Sequence, residues 1–284
     1  MIIDFHVHIF PPHVKIERSS YLAADPVFRE LYQNPKARIA DTEDLILSMD
    51  RAGIDVSVVQ GFAWADNDLC RETNDYIQES AARNPRRLIP FCAVRPELDA
   101  GVQDDVQRRL QSERPVRGAG EMRLDAPGCR ADGWAALRPL YDLAAKEGLP
   151  MLVHPSEPVG HPYAGKGGMT PDLVYDLITT FPDWTVVLAH LGGGLPFYTA
   201  MPEVKAAMQN VYIDTAARQY LYRPEVFPAL VALFDYRKIL FATDFPLLDQ
   251  AASLAKMRAL PLEPGVLAAI LGTNAARLLG LDDG

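Results

Sequence analysis

Cysteine is scarce in this 284-residue chain: Cys70, Cys92 and Cys129 lie far apart and are odd in number. No CxxC pair occurs, so neither a disulfide framework nor a cysteine zinc site is expected; the reading is three reduced thiols in a cytoplasmic protein. Long apolar runs are also lacking. Nothing approaches the roughly 20 apolar residues that a membrane-spanning helix needs. The opening Met1-Ile2-Ile3-Asp4-Phe5-His6 has neither the basic nor the long apolar region of a signal peptide. Positive charge is in deficit, with 28 Lys and Arg against 37 Asp and Glu and a net charge of -9. An acidic chain without a basic cluster repels phosphate backbones, so nucleic acid is not an expected partner. Repeats, low-complexity tracts and linkers are absent, and one domain is expected over residues 1–284.

What the chain has in quantity is hydrophobic sequence, 49% of residues, arranged as short apolar runs alternating with amphipathic segments. The runs expected as strands are Ile2–His8, Ile54–Gly61, Leu88–Val94, Gly118–Leu124, Pro150–His154, Thr185–His190, Val211–Thr215 and Lys238–Asp244. Their richness in Val, Ile, Leu and Phe suits strands buried on both faces. Helices are expected between them: Asp41 to Ala52, with an N-cap signal and Gly53 as stop, then 67–83, 99–111, 132–147, 171–180, 195–209, 224–234 and 248–259. Eight alternations predict an α/β fold, a single-domain (β/α)8 TIM barrel. Residues 9–40 form a long insert after the first strand, expected to cover the barrel mouth. The tail from Leu262 reads as a closing helix.

Active sites of such barrels lie at the C-terminal ends of the strands. The chain has six histidines, and His6, His8, His154 and His190 fall at such ends, as does Asp244. In an ideal strand, residues i and i+2 share a face, so His6 and His8 are expected to point inward, with Phe5 and Val7 facing the helices. Neutral imidazole suits zinc and similar divalent ions.

The segments Asp4-Phe5-His6-Val7-His8, Leu152-Val153-His154-Pro155, Leu188-Ala189-His190-Leu191-Gly192-Gly193-Gly194 and Ala242-Thr243-Asp244-Phe245-Pro246 resemble the amidohydrolase superfamily. The likeness is strongest to the amidohydrolase-2 group, which includes aminocarboxymuconate-semialdehyde decarboxylase-like enzymes. The tail Gly272-Thr273-Asn274-Ala275-Ala276-Arg277-Leu278-Leu279 is similar to that group's closing segment. The resemblance implies that His6, His8, His154 and Asp244 bind a divalent metal, zinc being the expected ion. It makes His190 a catalytic imidazole or a ligand of a second ion, and Asp244 the acceptor of a proton from metal-bound water. Many binuclear members carry a lysine at the end of strand 4. Here Glu121 stands in that region, either as a metal ligand, resembling the Gly-Glu-Ile-Gly-Leu-Asp segment of TatD-like hydrolases, or paired with Arg123 on the same face.

Weaker candidates lie on strand-end loops. Arg123, Arg218, Trp64 and His161 are expected to contribute to substrate binding, with Lys166 and Tyr220 nearby; His13 is expected to take no part. Asp4 and Asp214 read either as carboxylates that orient a ligand histidine or as ordinary buried acids. The Gly192–Gly194 run lacks a phosphate-loop pattern and reads as a tight turn. The leading expectation is hydrolysis of a small ester, lactone or amide by metal-activated water. The alternative is non-oxidative decarboxylation of a small aromatic or enol carboxylate. Residues 197–202 suggest a homodimer surface.

Overall fold

The computed structural model of the chain describes residues 1–62, 64–95, 101–124 and 134–281. Cys129 and the starts of two expected helices, at 99 and 132, lie outside the described residues. Eight short parallel strands run in chain order: β1 (Ile3–His8), β2 (Val56–Gln60), β3 (Leu88–Pro90), β4 (Ala119–Met122), β5 (Met151–Val153), β6 (Val186–Leu188), β7 (Val211–Asp214) and β8 (Ile239–Leu240). They pair as β1-β2-β3 and as β4 through β8. Two parallel bridges join these sheets, Cys92 to Ala119 on one side and Val7 to Phe245 on the other. Each neighbour is therefore the next strand in sequence, and the ring closes as a TIM barrel.

The helices are α1 (Pro12–Ile16), α2 (Arg18–Ala24), α3 (Pro26–Tyr32), α4 (Thr42–Ala52), α5 (Asn67–Arg83), α6 (Val102–Leu110), α7 (Arg138–Glu147), α8 (Pro171–Thr180), α9 (Pro202–Ala207), α10 (Arg218–Leu221), α11 (Val226–Leu233), α12 (Gln250–Arg258), α13 (Pro264–Ala268) and α14 (Asn274–Leu279). Local chemistry explains their limits. Asp41 and Asp44 form a reciprocal capping box at the start of α4, and Gly53 ends it with φ 71°. Asp66 caps α5 by accepting from the amides of Asp68 and Leu69. Among the described residues no helix is long and apolar enough to cross a membrane.

Several expectations need correction. The regular part of β3 stops at Pro90 and that of β8 at Leu240, so Asp244 stands on the irregular segment beyond the strand. The segment expected as a helix over 195–209 is a tight 3-10 stretch to Ala200 followed by the six-residue α9, because Pro202 holds Met201 extended and breaks the run there. The insert is helical, built from α1, α2 and α3. The closing tail is split by a π-turn at Ala269–Thr273.

Strand β1 also departs from simple alternation, because its register against β2 shifts between Asp4 and Val7. Phe5 consequently packs in a cluster with Val58, Phe91, Leu152, Val187 and Leu240. Side chains from so many strands can meet only inside the ring, so Phe5 faces the interior and not the helices. Val7 packs outward with Leu45 and Met49 of α4, as expected. The shift leaves His6 and His8 inward but turns Asp4 outward, towards α12.

Candidate metal centre and active site

The imidazoles of His6 and His8 converge with their Nε2 atoms 3.0 Å apart. Each has its other nitrogen committed. His6 Nδ1 donates to Asp214 Oδ2 at 2.8 Å, and His8 Nδ1 donates to the Gln60 carbonyl at 3.3 Å. Both acceptors lack a proton to give, so each ring turns its Nε2 to one point, the atom that a cation would bind in place of a proton. Asp244 Oδ1 lies 3.3 Å from His8 Nε2 and 3.9 Å from His6 Nε2, while Glu121 Oε2 lies 3.6 Å from each. His190 Nε2, 3.5 Å from Asp244 Oδ2, is buried without a hydrogen-bond partner. Two ligand sets emerge, His6–His8–Asp244 and His6–Glu121–His190, each with its ligand atoms within 4.8 Å of one another. Facing ring nitrogens beside carboxylates are the donor types that divalent metals take, and this set fits one.

The charges of the cluster reinforce one another. Burial alone would drive protons off His6, but Glu121 and Asp214 outweigh it and hold the imidazolium well above its ordinary range. Burial likewise opposes the charge on His190, yet Asp244 and Glu121 raise it to about 9. Burial would raise the Glu121 and Asp244 carboxyls; His154 and His6 hold the first well below the usual carboxylate range, and His190 and His8 do the same for the second.

His154 ends β5 beside this cluster. Its Nδ1 bonds Glu121 Oε1 at 2.7 Å and its Nε2 bonds the Gly165 carbonyl at 2.9 Å, so it buttresses Glu121 and stands outside both ligand sets. Glu121 does not pair with Arg123. Arg123 lines the same cavity but reaches Glu30 of α3 at 3.1 Å. Asp214 is an orienting carboxylate: Oδ2 holds the His6 ring, and Oδ1 accepts from the amides of His190 (2.9 Å) and Ala216 (3.0 Å). The signal for it was an acid ending a buried strand. Asp4 does not orient a ligand ring; it bonds Thr243 and Gln250, and burial pushes its carboxyl up to about 6. His190 and Asp244 both adopt left-handed backbone, φ 56° and 62°. The glycines after His190 continue the turn at φ 66°, 58° and 93°, and a side chain on Gly193 would meet the Ser156 carbonyl at 2.9 Å.

A cavity of about 470 Å³ opens above the cluster. His8, Glu121, His154, His190 and Asp244 form part of its lining, together with Tyr32 and Arg38 of the insert. The insert thus covers the mouth. His161 and Tyr220 line the cavity as expected, and Tyr163 joins them, a residue no motif had marked. Two substrate-binding expectations fail. Trp64 is fully buried, stacked on Phe28 at 5.0 Å and donating to Thr73 Oγ1; its ring belongs to the aromatic cluster under the insert. Arg218 is buried with its guanidinium 5.1 Å from the Phe227 ring and is not among the cavity's lining residues. Lys166 donates to the Val159 carbonyl, also away from the lining.

Comparison with known proteins places this geometry. The chain is 24% identical to 2-amino-3-carboxymuconate-6-semialdehyde decarboxylase of Dictyostelium discoideum, covering 99% of this chain and 92% of that protein. It is 23% identical to gamma-resorcylate decarboxylase of Rhizobium radiobacter, covering 95% and 97%. The crystal structure of a dihydroxybenzoic acid decarboxylase from Polaromonas sp. JS666, with bound manganese and 2-nitroresorcinol, superposes with a TM-score of 0.73 at 19% identity, covering 100% and 98%. These relatives overturn the expectation of hydrolysis, and with it the assignment of Asp244 as acceptor of a proton from attacking water. The donor set is the same for either chemistry, so the motifs alone could not separate them. A sequence profile described as amidohydrolase matches residues 3–281, and the chain belongs to that family.

Proposed function

We propose that the protein is a metal-dependent, non-oxidative decarboxylase, a carbon–carbon lyase acting on a small aromatic or enol carboxylate. The observation that carries this reading is end-to-end similarity to two decarboxylases, each aligned over more than nine-tenths of both chains. The cavity supports it: a cation site at the base and a lid over the mouth suit a compact anionic substrate.

His6, His8 and Asp244 would hold one divalent ion, with Glu121, His154 and His190 alongside. When bound, the ion supplies positive charge that grips substrate oxygens and draws electron density from the bond to be broken. The reaction is R–COO⁻ + H⁺ → R–H + CO₂: the C–C bond breaks, its electron pair stays on the organic carbon, and that carbon takes a proton. His190 Nε2 is the group positioned to hold this proton, since its neighbours favour the imidazolium and no other side chain occupies it. Asp244 stabilises that charge from 3.5 Å. Asp214 keeps His6 Nε2 directed at the cluster. Arg123, held by Glu30, sets a positive charge in the cavity wall that would attract an anionic substrate. The insert excludes water, which strengthens each of these interactions.

The test is a panel of small aromatic carboxylates, esters and lactones offered to zinc- and manganese-loaded enzyme in ¹⁸O-water. Release of carbon dioxide equimolar with the descarboxy product is expected. Cleavage of an ester or lactone with ¹⁸O incorporation, and no carbon dioxide from any carboxylate, would overturn the proposal.

A further inference from the structure

We propose that Asp4 is a positioning residue: through Thr243 and Gln250 it fixes the backbone turn that aims the Asp244 carboxylate into the cavity. Asp4 is fully buried and lies outside the ring of metal-seeking side chains. Its Oδ1 accepts the Thr243 amide at 3.0 Å. Its Oδ2 accepts the Thr243 hydroxyl at 2.6 Å and the Gln250 side-chain amide at 2.8 Å. The Thr243 hydroxyl oxygen in turn accepts the Phe245 amide at 3.1 Å. One carboxylate therefore pins the residue before Asp244 directly and the residue after it through a single hydroxyl. Gln250, on the first turn of α12, holds the carboxylate from behind.

The turn needs such restraint. Asp244 has φ 62°, a left-handed conformation that an L-residue keeps only where its surroundings over-determine it. The Asp244 amide donates to the His6 carbonyl at 3.0 Å, which ties the turn to β1, the strand that also carries Asp4. With that backbone fixed, the carboxylate reaches His8 Nε2 at 3.3 Å and His190 Nε2 at 3.5 Å. Loss of the Thr243 anchor frees Asp244 to relax towards an ordinary φ, which swings its oxygens away from both imidazoles. A displacement near 1 Å at a reacting group costs about 10²-fold in rate. Asp4 is suited to this task because four donors point at it, the His6 amide at 3.4 Å being the fourth, and a carboxylate accepts them all without offering a proton in return. The register shift in β1 makes this possible: it turns Asp4 to the outer side of the barrel, where Thr243 and α12 meet, while His6 stays inside.

The inference rests on the metal-dependent reading of the site, and its readouts separate the two. Thr243→Val removes the hydroxyl at nearly constant volume, and Thr243→Ser keeps it. In the full-length protein, Thr243→Val is expected to weaken Mn²⁺ binding by about 10–100-fold, as loss of an outer-shell contact typically does. It is also expected to alter the Mn²⁺ electron paramagnetic resonance line shape, and Thr243→Ser to restore both to near wild type. Where a carboxylate substrate turns over, kcat is expected to fall with Thr243→Val by a similar factor and KM by much less. Asp4→Asn is expected to follow Thr243→Val; if Asp4→Asn does not fold, the threonine pair decides. A folded Thr243→Val protein with wild-type Mn²⁺ affinity and line shape would reduce Asp4 to a tie between β1 and α12 and overturn the proposal, as would a Thr243→Ser protein equally impaired. Normal metal responses without turnover of any carboxylate would instead count against the decarboxylase reading alone.

Discussion

Asp244 and His190 combine strain with opposite charge: both are left-handed, His190 is buried and Asp244 nearly so, and their side chains stand 3.5 Å apart. Asp244→Asn retains an oxygen for a metal but cannot carry the charge that sustains the His190 imidazolium. We expect kcat to fall by about 10²–10⁴-fold, the usual worth of a positioned acid–base group, while metal content by elemental analysis falls much less. Loss of metal in proportion to loss of rate would show instead that Asp244 acts only as a ligand. The cysteines make a contrasting case. Burial pushes the Cys70 and Cys92 thiols up to about 12, and both lie within the packed core. Because the thiolate is the reactive form, neither is expected to be alkylated by iodoacetamide in the folded protein at pH 8. Peptide mapping that found either one modified before unfolding would contradict this.

At the scale of elements, the insert is held to the barrel by an aromatic cluster and by polar ties at its edge. Its aromatic residues Phe10, Phe28 and Tyr32 pack on Phe62 and Trp64. On its outer side, Lys15 at the end of α1 pairs with Asp44, which also completes the α4 capping box. The hydrogen bond to Asp44 raises the Lys15 amine above its ordinary 10.5; burial would raise the Asp44 carboxyl, but Lys15 outweighs it and holds it below 3.8. A depressed carboxyl contributes stability above its unfolded value and loses it as pH falls through the folded one. A raised amine contributes below 10.5 and loses it on the alkaline side. The tie is therefore complete between those two limits. Lys15→Met is expected to speed amide exchange in α1 about two- to fivefold at pH 7, the range of an exposed ion pair. Measured at equal pH, that ratio should shrink towards one as pH falls below Asp44's folded value. A ratio that persists in acid would mean that the lysine acts through its aliphatic stem.

For the whole molecule, the two carboxylates and three imidazoles around one point are held in place by eight strands, and a cation there binds the folded chain but not the unfolded one. Saturation at 100 times Kd stabilises by about 2.7 kcal/mol, and each kcal/mol moves the midpoint of a barrel-sized domain by about 2–4 °C. Chelation with EDTA is therefore expected to lower Tm by about 5–10 °C, and His6→Ala with His8→Ala to abolish the response. An unchanged Tm on chelation of protein shown to contain metal would argue against this coupling.

The sequence by itself determined the barrel, because alternation of short apolar runs with amphipathic segments of helical period is a local property that survives without knowledge of partners. It also singled out His6, His8, His190, Glu121 and Asp244, which the structure brings together, because a parallel barrel carries every strand's C-terminal end to one face. Three things were decided only by tertiary structure. The one-residue register shift in β1 reversed the faces of Asp4 and Phe5, and register is set by the neighbouring strand. Trp64 and Arg218 followed strand ends as a ligand-binding residue would, but Phe28 and Phe227 took them into apolar packing. His154 was drawn onto Glu121 and the Gly165 carbonyl, partners 33 and 11 residues away. The chemistry itself escaped both, because one donor set can serve attack by water or loss of carbon dioxide; only similarity to decarboxylases speaks against the first.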